Sequence, residues 1–172
     1  MQTAAAGDSL GRLVVIGLGL IGGSFAKGVR EAQLFSEVVG VDLDSESCRL
    51  AVELGVVDRC ETDLARACQG AAVIQLAVPI LAMERLLEQL SALDLHSTIL
   101  TDVGSAKGSI LRAAQRYLPQ CLANFVPGHP IAGSEQSGVE AADAALFRRH
   151  KVILTPHAAV DANALMLVER LW

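Results

Sequence analysis

The sequence predicts an α/β domain built on a doubly wound, mostly parallel sheet. Short β-branched runs alternate with stretches rich in Ala, Leu, Arg and Glu that have helical spacing, and parallel strands need such helical crossovers between them. Hydrophobic residues make up 52% of the chain, yet it contains only four Phe, one Tyr and one Trp. A core of Ala, Val, Leu and Ile suits strands that are buried on both faces.

The predicted elements alternate from the first strand onward. Strands are predicted at 13–17, 38–42, 72–77, 98–102, 124–126 and 152–155, with a weaker one at 56–59. Helices are predicted at 22–31, 46–53, 64–68, 81–90, 107–117 and 138–146. We therefore expect a flexible tail at 1–11, one domain at 12–157 and the start of a further helix at 158–172.

The last segment, 159–172, has the pattern of a helix that stops without a capping signal, because no Gly or Pro follows it. Nothing later in the chain covers its apolar residues, which are Leu165, Leu167, Val168, Leu171 and Trp172. We therefore expect a second domain to be missing from this sequence, and we expect the exposed helix to promote self-association.

Charge and composition exclude several function classes. The net charge is −5 and the pI is about 5.3, without a basic cluster, which argues against a nucleic-acid or anionic-membrane partner. The N-terminus MQTAAAGDSLGR lacks the apolar core of a signal peptide. The most apolar window, 71–83, is interrupted by Gln75 and Pro79 and is too short to span a bilayer.

The four cysteines show neither a CxxC pair nor the spacing of metal ligands. They are Cys48, Cys60, Cys68 and Cys121. We predict reduced thiols, no metal site and a cytoplasmic location.

A glycine-rich loop follows the first predicted strand and opens a helix. The run GLGLIGGS fits GxGxxG at Gly17, Gly19 and Gly22. The first glycine permits a tight turn, the second lets a pyrophosphate approach the backbone, and the third lets helix and strand pack closely. The phosphates would lie at the helix N-terminus, so this pattern predicts a Rossmann dinucleotide site. Its cofactor contacts are expected at Gly17, Leu18, Gly19, Leu20, Ile21 and Gly22.

Asp42 lies twenty residues after Gly22, at the end of the second predicted strand. A carboxylate there accepts hydrogen bonds from the ribose hydroxyls and repels a 2′-phosphate, which favours NAD over NADP. Asp44 could compete with Asp42 for this role, and Arg49 could alter the preference.

Two further strand ends are expected to contribute to the same sheet edge. Ala77, Val78 and Pro79 follow the fourth strand, where the cofactor would cross toward its nicotinamide end. The run TDVGSAKG at 101–108 follows the next strand. We interpret Asp102 as a helix cap and Lys107 as a surface lysine of the first helical turn.

The interpretation of Ser105 stays open at this point. Its hydroxyl could cap the following helix, or it could face the nicotinamide and the substrate.

The run GHPIAGSEQSG at 128–138 follows a buried strand and contains His129, Ser134 and Glu135. Near neutral pH an imidazole can accept the proton of an alcohol, as hydride removal from a C–OH carbon requires. His129 is therefore a candidate catalytic base. His150 and His157 flank the last strand and are interpreted as structural or surface residues.

Together these runs resemble the prephenate/arogenate (cyclohexadienyl) dehydrogenase family of tyrosine biosynthesis. The resemblance is carried by GLGLIGGS at 17–24, TDVGSAKG at 101–108, NFVPGHPIAGSEQSGVEAA at 124–142 and VILTP at 152–156. It extends from about Leu13 to the C-terminus. It implies oxidative decarboxylation of prephenate or arogenate, with hydride transfer to NAD+ or NADP+.

The resemblance also implies residue roles. His129 would accept a hydrogen bond from the ring hydroxyl, and Ser105 would contact the same hydroxyl and help to orient the histidine. Ser134 would contact the substrate side chain, and Glu135 would lie at the pocket mouth. Family members continue into an all-helical domain that forms a homodimer and supplies an arginine for the substrate carboxylate, and this chain ends before it.

Two alternatives remain open from the sequence. One is another β-hydroxyacid-type dehydrogenase that shares the Rossmann start, although such families usually place a catalytic lysine on a separate helical domain. The other is a dinucleotide-binding module without turnover, against which His129 and Ser105 argue.

Overall fold

The computed structural model describes residues 9–133 and 135–172 and contains an α/β sandwich. The strands are β1 (Arg12–Ile16), β2 (Glu37–Val41), β3 (Arg59–Glu61), β4 (Ala71–Leu76), β5 (Ile99–Asp102), β6 (Phe125–Pro130) and β7 (Val152–Leu154). The helices are α1 (Leu20–Glu31), α2 (Ser45–Glu53), α3 (Leu64–Cys68), α4 (Ile80–Leu90), α5 (Lys107–Tyr117) and α6 (Ala162–Leu171). Short 3₁₀ helices occupy Pro119–Asn124 and Val139–Ala141.

The sheet confirms the predicted doubly wound architecture. Its strand order is β3-β2-β1-β4-β5-β6-β7. Each neighbouring pair from β3 to β6 is parallel, and only the pairing of β6 with β7 among the described strands is antiparallel. The chain order reverses between β1 and β4, which is the switch point where such sheets bind ligands.

The core lies on both faces of the sheet, as the composition predicts. Val14, Ile74 and Leu100 face one layer of helices, while Val15 and Val73 face the other. All five are fully buried. Because both faces are covered, the central strands consist of near-continuous apolar runs instead of alternating ones.

The described residues that precede β1 are hydrogen-bonded to the rest of the domain. Residues 1–8 of the expected tail lie outside the described residues. Leu10 N donates to Leu34 O at 3.0 Å, and Gly11 O accepts from Ser36 N at 2.8 Å. These bonds join the residues before β1 to the loop before β2.

The weak strand predicted at 56–59 begins later, at Arg59. Val56 and Val57 are 1% exposed, but their N–H groups donate to Ala51 O at the end of α2. The two adjacent buried valines resemble a strand in the sequence. They lie instead in a turn that is hydrogen-bonded to the end of α2.

The helix predicted at 138–146 is wrong except for one 3₁₀ turn. Gly138 has a φ of 84°, which is outside the helical region. Asp143 N donates to Ser24 Oγ at 2.9 Å and the Asp143 carboxylate accepts from Ala145 N. This local capping replaces the helical hydrogen bonds.

The exposed C-terminal helix predicted from the sequence is also wrong. Val168 is fully buried against Val126 of β6, and Leu171 is only 7% exposed. The Trp172 ring lies 4.6 Å from the Phe25 ring and 5.0 Å from the Phe147 ring. Helix α6 therefore folds back onto the sheet, and residues earlier in the chain cover its apolar side.

Two of the four cysteines are not free thiols in this structure. Cys48 on α2 and Cys60 on β3 form a disulfide across a Cα–Cα distance of 5.3 Å. Cys68 and Cys121 are free and buried. The prediction of four reduced thiols is wrong for the first pair, because the packing of α2 against β3 brings together residues twelve positions apart.

No helix in the described part of the chain has the length and apolar character required to cross a membrane.

The packing of α6 predicts that an aspartate introduced on its buried side will lower the free energy of unfolding more than one introduced on its exposed side. Val168→Asp should destabilise the fold by about 3 kcal/mol or more, because a carboxylate would be buried without a partner. Met166→Asp is the matched control, since Met166 is 55% exposed, and should change stability by less than about 0.5 kcal/mol. Urea unfolding followed by circular dichroism measures both, and equal effects would contradict the docking of α6.

Candidate functional site

The glycine loop between β1 and α1 packs tightly against the end of β4. Gly17 has a φ of 94°, and a β-carbon there would lie 2.6 Å from Ala77 O. A β-carbon at Gly22 would lie 2.1 Å from Gly17 O and 2.8 Å from the Ala77 β-carbon. Any side chain at either position would force backbone apart, so both must be glycine.

The N-terminus of α1 is open, in contrast. Gly19 is the N-cap residue and no side chain caps the helix. A β-carbon at Gly19 would meet nothing within 4 Å. Since the first N–H groups of a helix lack intrahelical partners, Leu20, Ile21 and Gly22 offer donors to an anion at this end. The arrangement fits the pyrophosphate of a dinucleotide.

The Asp42 carboxylate lies beside this loop at the end of β2. Its Oδ2 accepts from Leu18 N at 2.9 Å, and its Oδ1 accepts from Asp44 N at 3.1 Å. Asp42 is half-buried, so its remaining lone pairs can accept hydrogen bonds from a ribose. The Leu18 side chain instead belongs to the core, where it packs over Gly40.

The two residues that could have modified the role of Asp42 are engaged elsewhere. The Asp44 carboxylate caps α2 by accepting from Glu46 N and Ser47 N, and the Ser47 hydroxyl holds the pKa of Asp44 below its usual range. The Arg49 guanidinium pairs with Glu46 and Glu53 on the same helix. Asp42 is therefore the ribose candidate of this region.

Ala77, Val78 and Pro79 connect β4 to α4 and border the glycine loop. Ala77 N donates to Ile16 O at 2.8 Å, which places the end of β4 directly beside the end of β1. Pro79 is the N-cap residue of α4 and is exposed. The structure therefore brings this connection and the loop to one sheet edge, as predicted.

The next strand end does not have the predicted helix cap. Helix α5 begins at Lys107 with Ala106 as its N-cap residue and no side-chain capping bond. Asp102 is fully buried instead. Its carboxylate accepts from Gly104 N at 2.9 Å, from Gly128 N at 3.4 Å, and from the Lys107 ammonium.

Lys107 is not a surface residue either, because its side chain is only 17% exposed. Its Nζ donates to the Asp102 carboxylate and to Gly128 O. Burial raises the pKa of Asp102, and the charge of Lys107 opposes that shift. Burial likewise lowers the pKa of Lys107, opposed by Asp102. Each charge thus depends on the other, and removing one from such a pair costs about 3–5 kcal/mol.

His129 lies within β6, whereas the sequence placed it just after a strand ending at 126. The strand is longer because β7 supplies a partner, with His129 paired to Ile153. The imidazole is half-buried, and its Nδ1 lies 3.2 Å from Val103 O. A carbonyl can only accept, so in the neutral imidazole this hydrogen bond requires the proton on Nδ1 and places the lone pair on Nε2.

A groove of about 440 Å³ lies beside this imidazole. It is lined by His129, Pro130, Ile131, Ala132, Gly133 and His150. His150, interpreted from the sequence as a surface or structural residue, therefore shares a groove with His129. A ligand in the groove can reach an imidazole at the same edge as the glycine loop.

No hydrogen bond joins His129 to Ser105 or Glu135 within the described residues. Ser105 is exposed in the turn between β5 and α5. Glu135 is exposed in the segment that follows the groove. Ser134 lies outside the described residues.

Sequence reasoning undervalued Asp102 and Lys107, although a signal was present. An Asp at the end of a central strand of a doubly wound sheet is expected to be buried, and a buried carboxylate needs a cation or several N–H donors. Lys107 lies five residues later and supplies that cation. The contribution of Gly128 had no local signal because it comes from the neighbouring strand.

The strand order, the open glycine loop and the acidic residue that ends β2 define a Rossmann dinucleotide-binding domain of the dehydrogenase type. Residues 25–172 match the family model described as prephenate dehydrogenase, nucleotide-binding domain. The chain belongs to the prephenate dehydrogenase family.

Known relatives support this assignment. A prephenate dehydrogenase of Lactococcus lactis subsp. cremoris is 39% identical over 145 residues, which are 84% of this chain and 40% of that protein. The crystal structure of A. aeolicus prephenate dehydrogenase in complex with hydroxyphenyl propionate and NAD+ has a TM-score of 0.87 and 35% identity, covering 95% of this chain and 57% of that one. Synechocystis arogenate dehydrogenase has a TM-score of 0.84 and 33% identity, covering 93% and 55%.

The chain spans about half the length of these relatives. The matched part is their nucleotide-binding domain.

The two ends of the glycine loop should respond differently to a methyl group. Gly22→Ala should destabilise the fold by about 1–3 kcal/mol through overpacking against Gly17 and Ala77. Gly19→Ala should cost less than about 1 kcal/mol, since its space is empty and only the cap changes, but it should weaken dinucleotide binding. Thermal unfolding and calorimetric titration separate the two effects. A destabilised Gly19→Ala variant, or one with normal affinity, would contradict this assignment of the loop.

Proposed function

We propose that this chain is the nucleotide-binding half of an NAD-dependent dehydrogenase that oxidatively decarboxylates prephenate, arogenate or both. The observation that carries the proposal is the position of the His129 imidazole, whose Nδ1 lies 3.2 Å from Val103 O, on the same sheet edge as the glycine loop and Asp42. The structures of A. aeolicus prephenate dehydrogenase with NAD+ and of Synechocystis arogenate dehydrogenase support the cofactor and both substrate candidates.

His129 would take the proton of the ring hydroxyl through Nε2, while Val103 O holds the opposite side of the imidazole. When bound, NAD+ supplies the hydride acceptor. The hydride leaves the C–OH carbon, carbon dioxide leaves the quaternary ring carbon, and the electrons of the broken C–C bond complete the aromatic ring. The chain therefore has to orient the reactants and hold one proton.

The remaining predicted roles follow from the resemblance. Ser105 would contact the ring hydroxyl, Ser134 the substrate side chain, and Glu135 the pocket mouth. Ser105 and Glu135 are exposed at this edge and so accessible to a ligand. An arginine for the substrate carboxylate would come from the part of the protein that corresponds to the other half of the relatives, which would also form a homodimer. We expect a cytoplasmic enzyme without nucleic-acid or membrane partners.

For the cofactor, we propose NAD over NADP. The Asp42 carboxylate would accept hydrogen bonds from the ribose hydroxyls and repel a 2′-phosphate. Arg49, which could have favoured that phosphate, is engaged by two glutamates.

Replacement of His129 tests the chemical half of the proposal. In a protein that joins this chain to the C-terminal part present in its relatives, His129→Asn should lower kcat by roughly 10²–10⁴-fold, because the hydroxyl proton loses its acceptor. Prephenate and arogenate are each assayed with NAD+ and with NADP+ by absorbance of the reduced cofactor. His96→Asn is the control, since the His96 side chain is exposed and its ring bonds to the nearby Asp94. A nearly normal rate for His129→Asn would remove it from the mechanism.

Replacement of Asp42 tests the cofactor half. Asp42→Ala should weaken NAD+ binding by about 1.5–3 kcal/mol, the usual contribution of hydrogen bonds to a charged group, and should narrow the preference over NADP+. Calorimetric titration of both cofactors measures the two effects. Asp44→Ala is the matched control, because loss of the α2 cap should cost about 1 kcal/mol of stability without changing the preference. Tighter binding of NADP+ by the unmodified chain would contradict the proposal.

A further inference from the structure

The backbone of Gly128, the residue immediately before His129, is held at both of its polar atoms. Gly128 N donates to the Asp102 carboxylate at 3.4 Å, and Gly128 O accepts from Lys107 Nζ at 2.5 Å. Asp102 and Lys107 also bind each other. A buried ion pair on β5 and α5 thus hydrogen-bonds to the backbone of the neighbouring strand at one residue.

The same short segment also holds the imidazole. Val103, whose carbonyl lies 3.2 Å from His129 Nδ1, directly follows Asp102. Gly104 N donates back to the Asp102 carboxylate at 2.9 Å, which closes a turn around Val103. The backbone and the ring of His129 are therefore both anchored to residues 102–107.

The pair occupies a position that a purely structural role does not require. Asp102 is fully buried, and the Lys107 side chain is 17% exposed. Burial disfavours both charges, and a pair of apolar side chains of similar volume often stabilises a fold equally well or better. An ion pair at this place is better explained by its directional hydrogen bonds, which anchor the backbone next to His129 and the segment that binds its ring.

We propose that Lys107 and Asp102 are positioning residues that fix the orientation and the tautomer of His129. The hydrogen bond from Lys107 fixes the position of the Gly128 carbonyl. The Asp102 carboxylate, which accepts from Gly104 N, fixes the direction of the Val103 carbonyl. Together they keep the proton on Nδ1 and the lone pair on Nε2 of an imidazole that borders the groove. The catalytic consequence rests on the proposed function, whereas the tautomer itself does not.

The tautomer can be measured without substrate. In the ¹⁵N-histidine-labelled 172-residue chain, correlation spectra of the imidazole distinguish a protonated Nδ1 from a protonated Nε2 by their nitrogen shifts. We expect the His129 resonances of the unmodified chain to report Nδ1–H. Lys107→Met should convert them to a mixture with a large share of Nε2–H, and Lys107→Arg, which keeps donors at this position, should restore most of the original signal.

Lys151→Met is the matched control, because Lys151 is exposed on the neighbouring strand connection, and it should leave the His129 signal unchanged. If Lys107→Met fails to fold, the double variant Asp102→Asn with Lys107→Met leaves no unpaired buried charge and takes its place. Retention of the Nδ1–H signal in the folded variant that lacks the lysine would overturn the proposal.

A kinetic measurement separates positioning from substrate binding. In the protein that contains the C-terminal part of its relatives, Lys107→Met should lower kcat by about 10²-fold, the usual effect of a misplaced catalytic group, with KM nearly unchanged. A rise in KM at constant kcat would instead indicate that Lys107 binds the substrate, and would overturn the positioning role. Should the protein oxidise neither prephenate nor arogenate, the tautomer measurement still decides the proposal.

Discussion

Parallel pairing from β3 to β6 is the constraint on which the candidate site depends. Parallel strands all end at the same edge of a sheet. Four features therefore meet at this edge: the glycine loop after β1, Asp42 after β2, Ala77 after β4 and Asp102 at the end of β5. They meet although sixty residues separate Gly17 from Ala77 in the chain. His129 joins them because β6 continues the parallel array. A site with residues from five strands needs no long loop.

The two halves of this edge reach their geometry by different means. The cofactor half is shaped by backbone contacts so close that only glycine fits, as at Gly17 and Gly22. The chemical half is shaped by the buried pair of Asp102 and Lys107, which bonds to the peptide before His129. Where two backbones are in close steric contact, there is no space for a side chain. A charged pair, in contrast, can be replaced by other polar residues that keep part of its hydrogen bonding. We therefore expect the cofactor half to be the less adaptable of the two.

This difference also explains what the sequence could predict. The alternating elements, the glycine loop and the position of Asp42 at a strand end depend on residues close together in the chain, and they were predicted from local pattern. The extension of β6 depends on β7, and the burial of Val168 depends on Val126 of β6. Neither partner is adjacent in sequence, so the pattern placed His129 beyond its strand and α6 in solvent. For Lys107 a local signal was present in Asp102, five residues earlier, and only the bond to Gly128 depends on the neighbouring strand.

Helix α1 links the two halves, because later parts of the chain pack onto it. Its N-terminus forms the open end of the glycine loop. On its buried side, Ser24 Oγ accepts from Asp143 N at 2.9 Å, and the Phe25 ring contacts Trp172. Both partners follow the His129 strand in the chain. The chain that continues from the candidate base therefore packs against the helix whose N-terminus borders the cofactor loop, and this shared packing connects the cofactor half to the chemical half.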